Sequence, residues 1–322
     1  MFSFNNVIGN HENILNMEKS LKNKKVFHSY IVTGEEGIGK LFITNCFIKK
    51  LQCETNDACG NCYSCRSFEF GNNPDVIYVK LTKTNNLSVD DIREQVKLNS
   101  SIKPYACRYK IFVLENADKM TVAAQNALLK ILEEPPNFLI FFLLGENIKN
   151  FLPTIISRCA IINIKSVLIP EVKKFLIQNG TSEELAQICS VYSQGNIGRA
   201  LKLASDEKFI AMREKIIEII NNLSNCNAAN ALLFVNEFEN FKDDLKTVFD
   251  IIYFWYADLI FFKSTNNVSF ICNTDKLELI TKNNDKKLYS KINAIEQAKK
   301  YLSYNTNFKL TFSYLFLVLS EV

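Results

Sequence analysis

Ser29-Tyr30-Ile31-Val32-Thr33 runs directly into Gly34-Glu35-Glu36-Gly37-Ile38-Gly39-Lys40, and that junction leaves few folds open. A short apolar run of strand character meets a glycine-rich loop, and Lys40 to Lys50 leaves the loop with a helical pattern. In such a loop backbone N–H groups close around phosphate oxygens, at the positive end of the helix that follows. Gly34, Gly37 and Gly39 supply the freedom to wrap, and Lys40 supplies the counter-charge. The next residue ordinarily carries a hydroxyl that holds Mg²⁺; here it is Leu41, which has no donor oxygen. The chain thus carries the cradle of a nucleotide hydrolase without its metal ligand. ATP or ADP binding stays open at this stage, since a loop that no longer takes nucleotide fits the same residues.

The alternation continues along the first half. Asp75–Val79, Ile111–Leu114, Phe138–Leu144 and Ala160–Ile164 complete five apolar runs suited to buried parallel strands. Ser88 is placed to cap a helix over Val89–Leu98, and Thr121–Glu133 reads as a helix stopped by Pro135-Pro136. Strands alternating with helices predict a three-layer α/β domain over residues 1–165. Beyond Lys165 strand signals fade. Thr181-x-x-Glu184 has the form of a capping box, and Leu185, Ile188, Cys189 and Tyr192 follow at helical spacing. Gly195-Asn196-Ile197-Gly198 marks a turn before a helix at Arg199. From about Glu207 only helical patterns remain, so a small helical domain over 166–206 and a larger all-α domain over 207–322 are expected.

Several classes of function recede. The net charge of +4, from 38 basic and 34 acidic residues, does not mark a nucleic-acid binder. Met1 to Asn6 lacks the basic start and apolar core of a signal peptide. The most apolar helical stretch, Val248–Phe262, is short for a membrane span and carries Asp250 and Asp258. Ten cysteines, four clustered and six scattered, fit a reducing cytosol. A cytoplasmic chain without membrane partners is expected.

Cys53, Cys59, Cys62 and Cys65 form a C-x5-C-x2-C-x2-C pattern. Four thiolates complete a tetrahedral Zn²⁺ and leave no open position, so such a site is structural. An iron–sulfur cluster competes, although the run lacks a following C-x3-C-P. A zinc-dependent nucleic-acid-binding module is a further reading. It is weakened because residues 53–65 hold no basic side chain to meet phosphates. A second hydrolase element is also altered: Glu115 and Asn116 follow the strand 111–114 where an acidic pair usually serves Mg²⁺ and the attacking water. Asn116 carries no charge and is a poor base. Leu41 and Asn116 damage the same reaction, which points to lost hydrolysis.

Asn126-Ala127-Leu128-Leu129-Lys130-Ile131-Leu132-Glu133-Glu134-Pro135-Pro136, with Ser157-Arg158-Cys159 downstream, resembles the clamp-loader branch of the AAA+ ATPases. With the two defects, the chain is similar to the delta-prime family of bacterial DNA polymerase III clamp-loader subunits. Phe4–Gly9, His28-Ser29-Tyr30, Val89–Glu94 and Glu115–Met120 support the likeness, which carries motifs over residues 1–165. From 166 to 205 it rests on the turn at Gly195–Ala200, and beyond that on length and helical character.

The resemblance implies a RecA-like AAA+ domain, a helical lid and a helical collar that joins a hetero-oligomeric open ring. It implies gamma/tau ATPase subunits and a delta subunit as neighbours, with the sliding clamp and primer–template DNA reached through the complex. It implies that Arg158 reaches a neighbour's ATP site as an arginine finger, that the four cysteines hold zinc, and that Arg199 stands where a lid arginine senses nucleotide. A longer gap before the second cysteine is usual in the family, so Cys53 is the ligand this pattern supports least. Val7 and Ile8 fit either an adenine pocket or plain core packing. An active gamma/tau-like ATPase is the rival, and it would want Ser or Thr at 41 and an acid at 116. His11 and His28 have no partners suggesting acid–base work.

Overall fold

Five strands, β1 (Ser29–Thr33), β2 (Val76–Val79), β3 (Lys110–Leu114), β4 (Leu139–Gly145) and β5 (Ala160–Asn163), form one parallel sheet in the order β2-β3-β4-β1-β5. All five expected strands are present. The computed structural model describes residues 2–80, 88–223, 226, 228–268 and 271–321. It divides into two units, residues 1–175 with 194–199, and residues 176–193 with 200–322.

In the first unit alternate side chains of each strand feed opposite faces of the sheet. Tyr30, Val32, Ile140, Phe142 and Leu144 pack with Phe47, Ile43 and Ile48 of the helix Lys40–Gln52 on one face. Ile31, Phe112, Phe141 and Leu143 pack with Leu128 and Leu132 of the helix Val122–Glu133 on the other. Phe112 stacks on Phe141 at 5.2 Å, and Tyr30 on Phe142 at 5.1 Å, so neighbouring strands are locked in register from both sides. Helices on both faces cover a parallel sheet whose strands would otherwise expose continuous apolar runs.

Two local expectations change. The segment after Ser88 is helical, and Ser88 caps it with a full capping box to Asp91, but Ile92–Lys97 winds as a π-helix between short α-helical ends. The helix near 181 begins one residue later than its capping pattern suggested. Ser182, not Thr181, is the N-cap, its hydroxyl accepting from the Leu185 N–H at 3.4 Å, and the helix spans Glu183–Tyr192. The hydroxyl nearer the helix wins because an N-cap must reach the third amide beyond it.

The second unit is helical throughout its described residues. Its helices include Glu207–Leu223, Ala228–Phe238, Leu245–Thr265, Leu288–Ser303 and Phe308–Ser320. Trp255, Tyr256 and Leu259 are fully buried along the longest helix, consistent with a core element that carries Asp250 and Asp258. Arg213 is also fully buried. It donates to both carboxylate oxygens of Asp275 at 2.7 and 2.9 Å and to Asn273 Oδ1 at 2.7 Å. Tyr192 donates its hydroxyl to the same Asn273 oxygen at 2.8 Å, joining its helix to that network. No helix among the described residues is long and apolar enough to cross a membrane.

Candidate functional site

β1 lies between β4 and β5, where the strand order switches direction, and its C-terminal end delivers the glycine loop to that point. Gly39 caps the helix Lys40–Gln52 from the left-handed region, at φ 99°, and Gly37 sits at φ 80°, positions that suit glycine. A cleft of about 280 Å³ is lined by Glu36, Gly37, Gly39, Lys40, Leu41, Phe42, Glu115, Asn116 and Leu144. Of the residues singled out for phosphate binding and for hydrolysis, Gly37, Gly39, Lys40, Leu41, Glu115 and Asn116 meet in this cleft, and Gly34 is not among its lining.

Their electrostatics are turned inward. The Lys40 ammonium donates to the carbonyl oxygens of Gly34 at 2.7 Å and Glu35 at 2.8 Å. Burial lowers its pKa from the ordinary value, opposed by the negative charges of Glu146, Asp118 and Glu36. The two carbonyls of its own loop thus hold the cation that an incoming polyphosphate would have to recruit. Leu41 turns partly toward the core beneath β1, where no metal could use it. Asn116 occupies a left-handed backbone position, φ 51°, at the end of β3. Asparagine tolerates that conformation, a local reason for its presence that charge reasoning misses.

The turn at 194–199 is sewn onto this loop within the same unit. Asn196 Nδ2 donates to Glu36 O at 2.7 Å, the Gly198 N–H donates to Gly37 O at 3.0 Å, and the Arg199 N–H donates to Asn196 Oδ1 at 3.0 Å. A Cβ on Gly198 would stand 2.5 Å from Gly37 O, so the approach requires glycine. Asn196 was not singled out by sequence; an asparagine between two glycines was the available signal. Val7 packs against the core of the first unit. Asp118 was also missed. It is buried and takes the Glu146 and Asn147 N–H groups at 3.1 and 3.2 Å, tying the ends of β3 and β4 together.

The four clustered cysteines converge. Their sulfur atoms lie within 4.8 Å of one another, Cys53 among them, although its spacing was the least regular. Tetrahedral zinc with Zn–S bonds of about 2.3 Å needs sulfurs about 3.8 Å apart, so a shift of about 1 Å suffices. The Cys59 N–H points at Cys53 Sγ and the Cys65 N–H at Cys62 Sγ, both at 3.4 Å. Such donors favour thiolates. Burial opposes the Cys53 thiolate, but hydrogen bonds from Thr55 and Cys59 outweigh it and bring the pKa down to about 6. Cys62 also caps the helix Tyr63–Glu69, which the buried Lys49 ties to the P-loop helix through Glu69 at 2.7 Å. The donor set suits a structural Zn²⁺.

Arg158 lies at the opposite end of β1 from the glycine loop. Ser29, the first residue of β1 and fully buried, donates its hydroxyl to Arg158 O at 2.7 Å. The guanidinium donates through Nη1 to Thr154 O at 2.9 Å and Ser157 Oγ at 3.4 Å, and through Nη2 to Glu133 Oε1 at 3.0 Å. Its side chain is 35% exposed and that of Glu133 51%. The backbone is pinned while the charge faces outward.

The chain is similar in sequence to known proteins. Residues 9–167 match a family described as DNA polymerase III, delta subunit. The delta' subunit of DNA polymerase III from Bacillus subtilis is 26% identical over 94% of this chain and 93% of its own length. The tau subunit from the same organism is also 26% identical, over 85% of this chain but 53% of itself. The tau/gamma subunit of Haemophilus influenzae is 28% identical over 69% of this chain and 33% of itself. The chain thus spans about half or less of these tau-type relatives. The chain is a homologue of the bacterial DNA polymerase III clamp-loader subunits, the delta' and tau/gamma proteins.

Proposed function

We propose that this chain is a non-hydrolysing, delta-prime-type subunit of a cytoplasmic clamp loader. It supplies Arg158 in trans to the ATP site of a neighbouring gamma/tau-type subunit. The observation that carries the reading is the contrast between two cations at opposite ends of β1. Lys40 is bonded to its own loop, beside a Leu41 that cannot hold Mg²⁺. Arg158 is fixed at its backbone and presented at its guanidinium. Similarity to a delta' subunit over 94% of this chain supports the same role.

A permanently charged planar fork suits phosphate oxygens as negative charge develops on them. The AAA+ domain over 1–165, a lid over 166–206 and a collar over 207–322 belong to this proposal. So do a delta subunit as second neighbour and action on the sliding clamp at primer–template DNA. A nucleotide held in the chain's own cleft would rest on Gly34, Gly37, Gly39 and Lys40. A zinc ion on Cys53, Cys59, Cys62 and Cys65 would cross-link residues 53–65 and take no part in the reaction.

The test is Arg158→Ala in a loader reconstituted with its ATPase subunits. A finger supplied in trans is worth about 10³ or more in rate, so clamp- and DNA-stimulated turnover should collapse while assembly persists. Unchanged turnover would leave the chain a passive ring member.

A further inference from the structure

Arg158 has five N–H donors, and this chain engages three of them. Thr154 O and Ser157 Oγ occupy Nη1, and Glu133 occupies one hydrogen of Nη2. Nε–H and the second Nη2 hydrogen have no partner among the described residues. Glu133 is the last residue of the helix Val122–Glu133, whose inner face is buried against the sheet through Ala124, Leu128 and Leu132. The carboxylate therefore stands on a rigid element, not on a loop. Thr154 lies on the short helix Pro153–Ile156, and Ser29 anchors the Arg158 carbonyl from the central strand. Three separate elements converge on one exposed arginine, although a free surface arginine would gain entropy from none of them.

We propose that Glu133 is a positioning residue for Arg158. With the Thr154 carbonyl it fixes the plane of the guanidinium, so that the remaining donors face outward as a pre-set fork for a phosphate on a neighbouring subunit. This rests on the in-trans role proposed above and deepens it. A long side chain that had to find its orientation at each encounter would present the fork for a fraction of the time. A carboxylate behind it removes that search before the partner's phosphate arrives.

The experiment uses the full chain in the reconstituted loader and compares Glu133→Ala, Glu133→Gln, Arg158→Ala and the Glu133→Ala/Arg158→Ala pair. An exposed ion pair of this kind is worth little, so Glu133→Ala should lower kcat only about two- to fivefold, with KM for ATP unchanged. Glu133→Gln, which keeps an acceptor oxygen, should retain most of the rate. In the Arg158→Ala background, Glu133→Ala should do nothing further, an outcome that a general loss of stability would not produce. Thermal melts of each variant guard against misfolding, which the half-exposed position of Glu133 makes a small effect. If Arg158→Ala itself leaves turnover intact, the in-trans role fails and this inference falls with it. If Arg158→Ala lowers turnover while Glu133→Ala matches or exceeds wild type, the role stands and the positioning by Glu133 is overturned. An equal loss from Glu133→Ala with and without Arg158 would overturn it as well.

Discussion

The two ends of β1 treat a cation in opposite ways. At the C-terminal end, Lys40 folds back on the carbonyls of Gly34 and Glu35, and the 194–199 turn is bonded over the loop. At the N-terminal end, Ser29 holds only the Arg158 backbone, and the guanidinium stays 35% exposed. An ammonium paired with two carbonyls must give those bonds up to reach a phosphate, whereas the Arg158 guanidinium, bonded to Thr154, Ser157 and Glu133, has two further donors without a partner among the described residues. A residue that acts on another subunit needs its donors outward and its backbone immobile. Arg158 has its backbone held by Ser29 and its side chain 35% exposed, at the opposite end of β1 from Leu41 and Asn116. One strand core, locked by the Tyr30–Phe142 stack, supports both ends.

The contrast can be broken from the closed end first. Gly198→Ala would press a Cβ to 2.5 Å from Gly37 O and force the turn off the loop. Overpacking of this kind costs about 1–3 kcal/mol, readable by chemical denaturation. Turnover of a neighbouring ATPase should survive so long as the chain folds. If Gly198→Ala abolished turnover in a folded loader, the two ends would not be independent.

Ser29→Ala attacks the other end and should be somewhat milder. It leaves the part-buried Arg158 carbonyl without its donor, for a loss of about 1 kcal/mol in stability. Unlike Gly198→Ala, it should also lower turnover, because the pinned backbone sets where the guanidinium stands. Equal turnover for Ser29→Ala and wild type would show that the pin is structural only.

The smallest effect is expected from Lys40→Met, and it shows in the pH dependence. Burial holds the Lys40 pKa below its ordinary value of 10.5, so just below that pH the unfolded chain binds more protons than the folded one. Stability from this group therefore rises with pH across that window. Denaturation of wild type should show the rise and Lys40→Met should lack it, with turnover of the loader the same in both. A Lys40→Met loader with impaired turnover would mean that the chain's own cleft takes part in the reaction.

Local patterns were legible in the sequence. The strand–loop–helix junction, the five apolar runs, the Ser88 cap and the cysteine spacing each depend on neighbours a few residues apart. The capping of the helix near 181 slipped by one residue because Thr181 and Ser182 are both competent caps, and only the backbone decides between them. Contacts between distant residues were not legible. Ser29 and Arg158 are 129 positions apart, and Asn196 and Glu36 are 160 apart. Arg158 stood out through Ser157-Arg158-Cys159, whereas Glu133 was visible within the Asn126–Pro136 motif and silent about what it holds. The inward turn of Lys40 had no sequence signal beyond Leu41, since the acids that surround it come from the loop, from the 3₁₀ turn after β3 and from the end of β4.

The central claim is tested most directly by one comparison: clamp- and DNA-stimulated ATP turnover of reconstituted loaders carrying wild-type, Arg158→Ala or Lys40→Met chain, each verified for assembly. The account predicts a collapse for Arg158→Ala, on the order of 10³, and wild-type turnover for Lys40→Met. The reverse pattern, with Lys40 required and Arg158 dispensable, would contradict it and make this chain an ATPase in its own right.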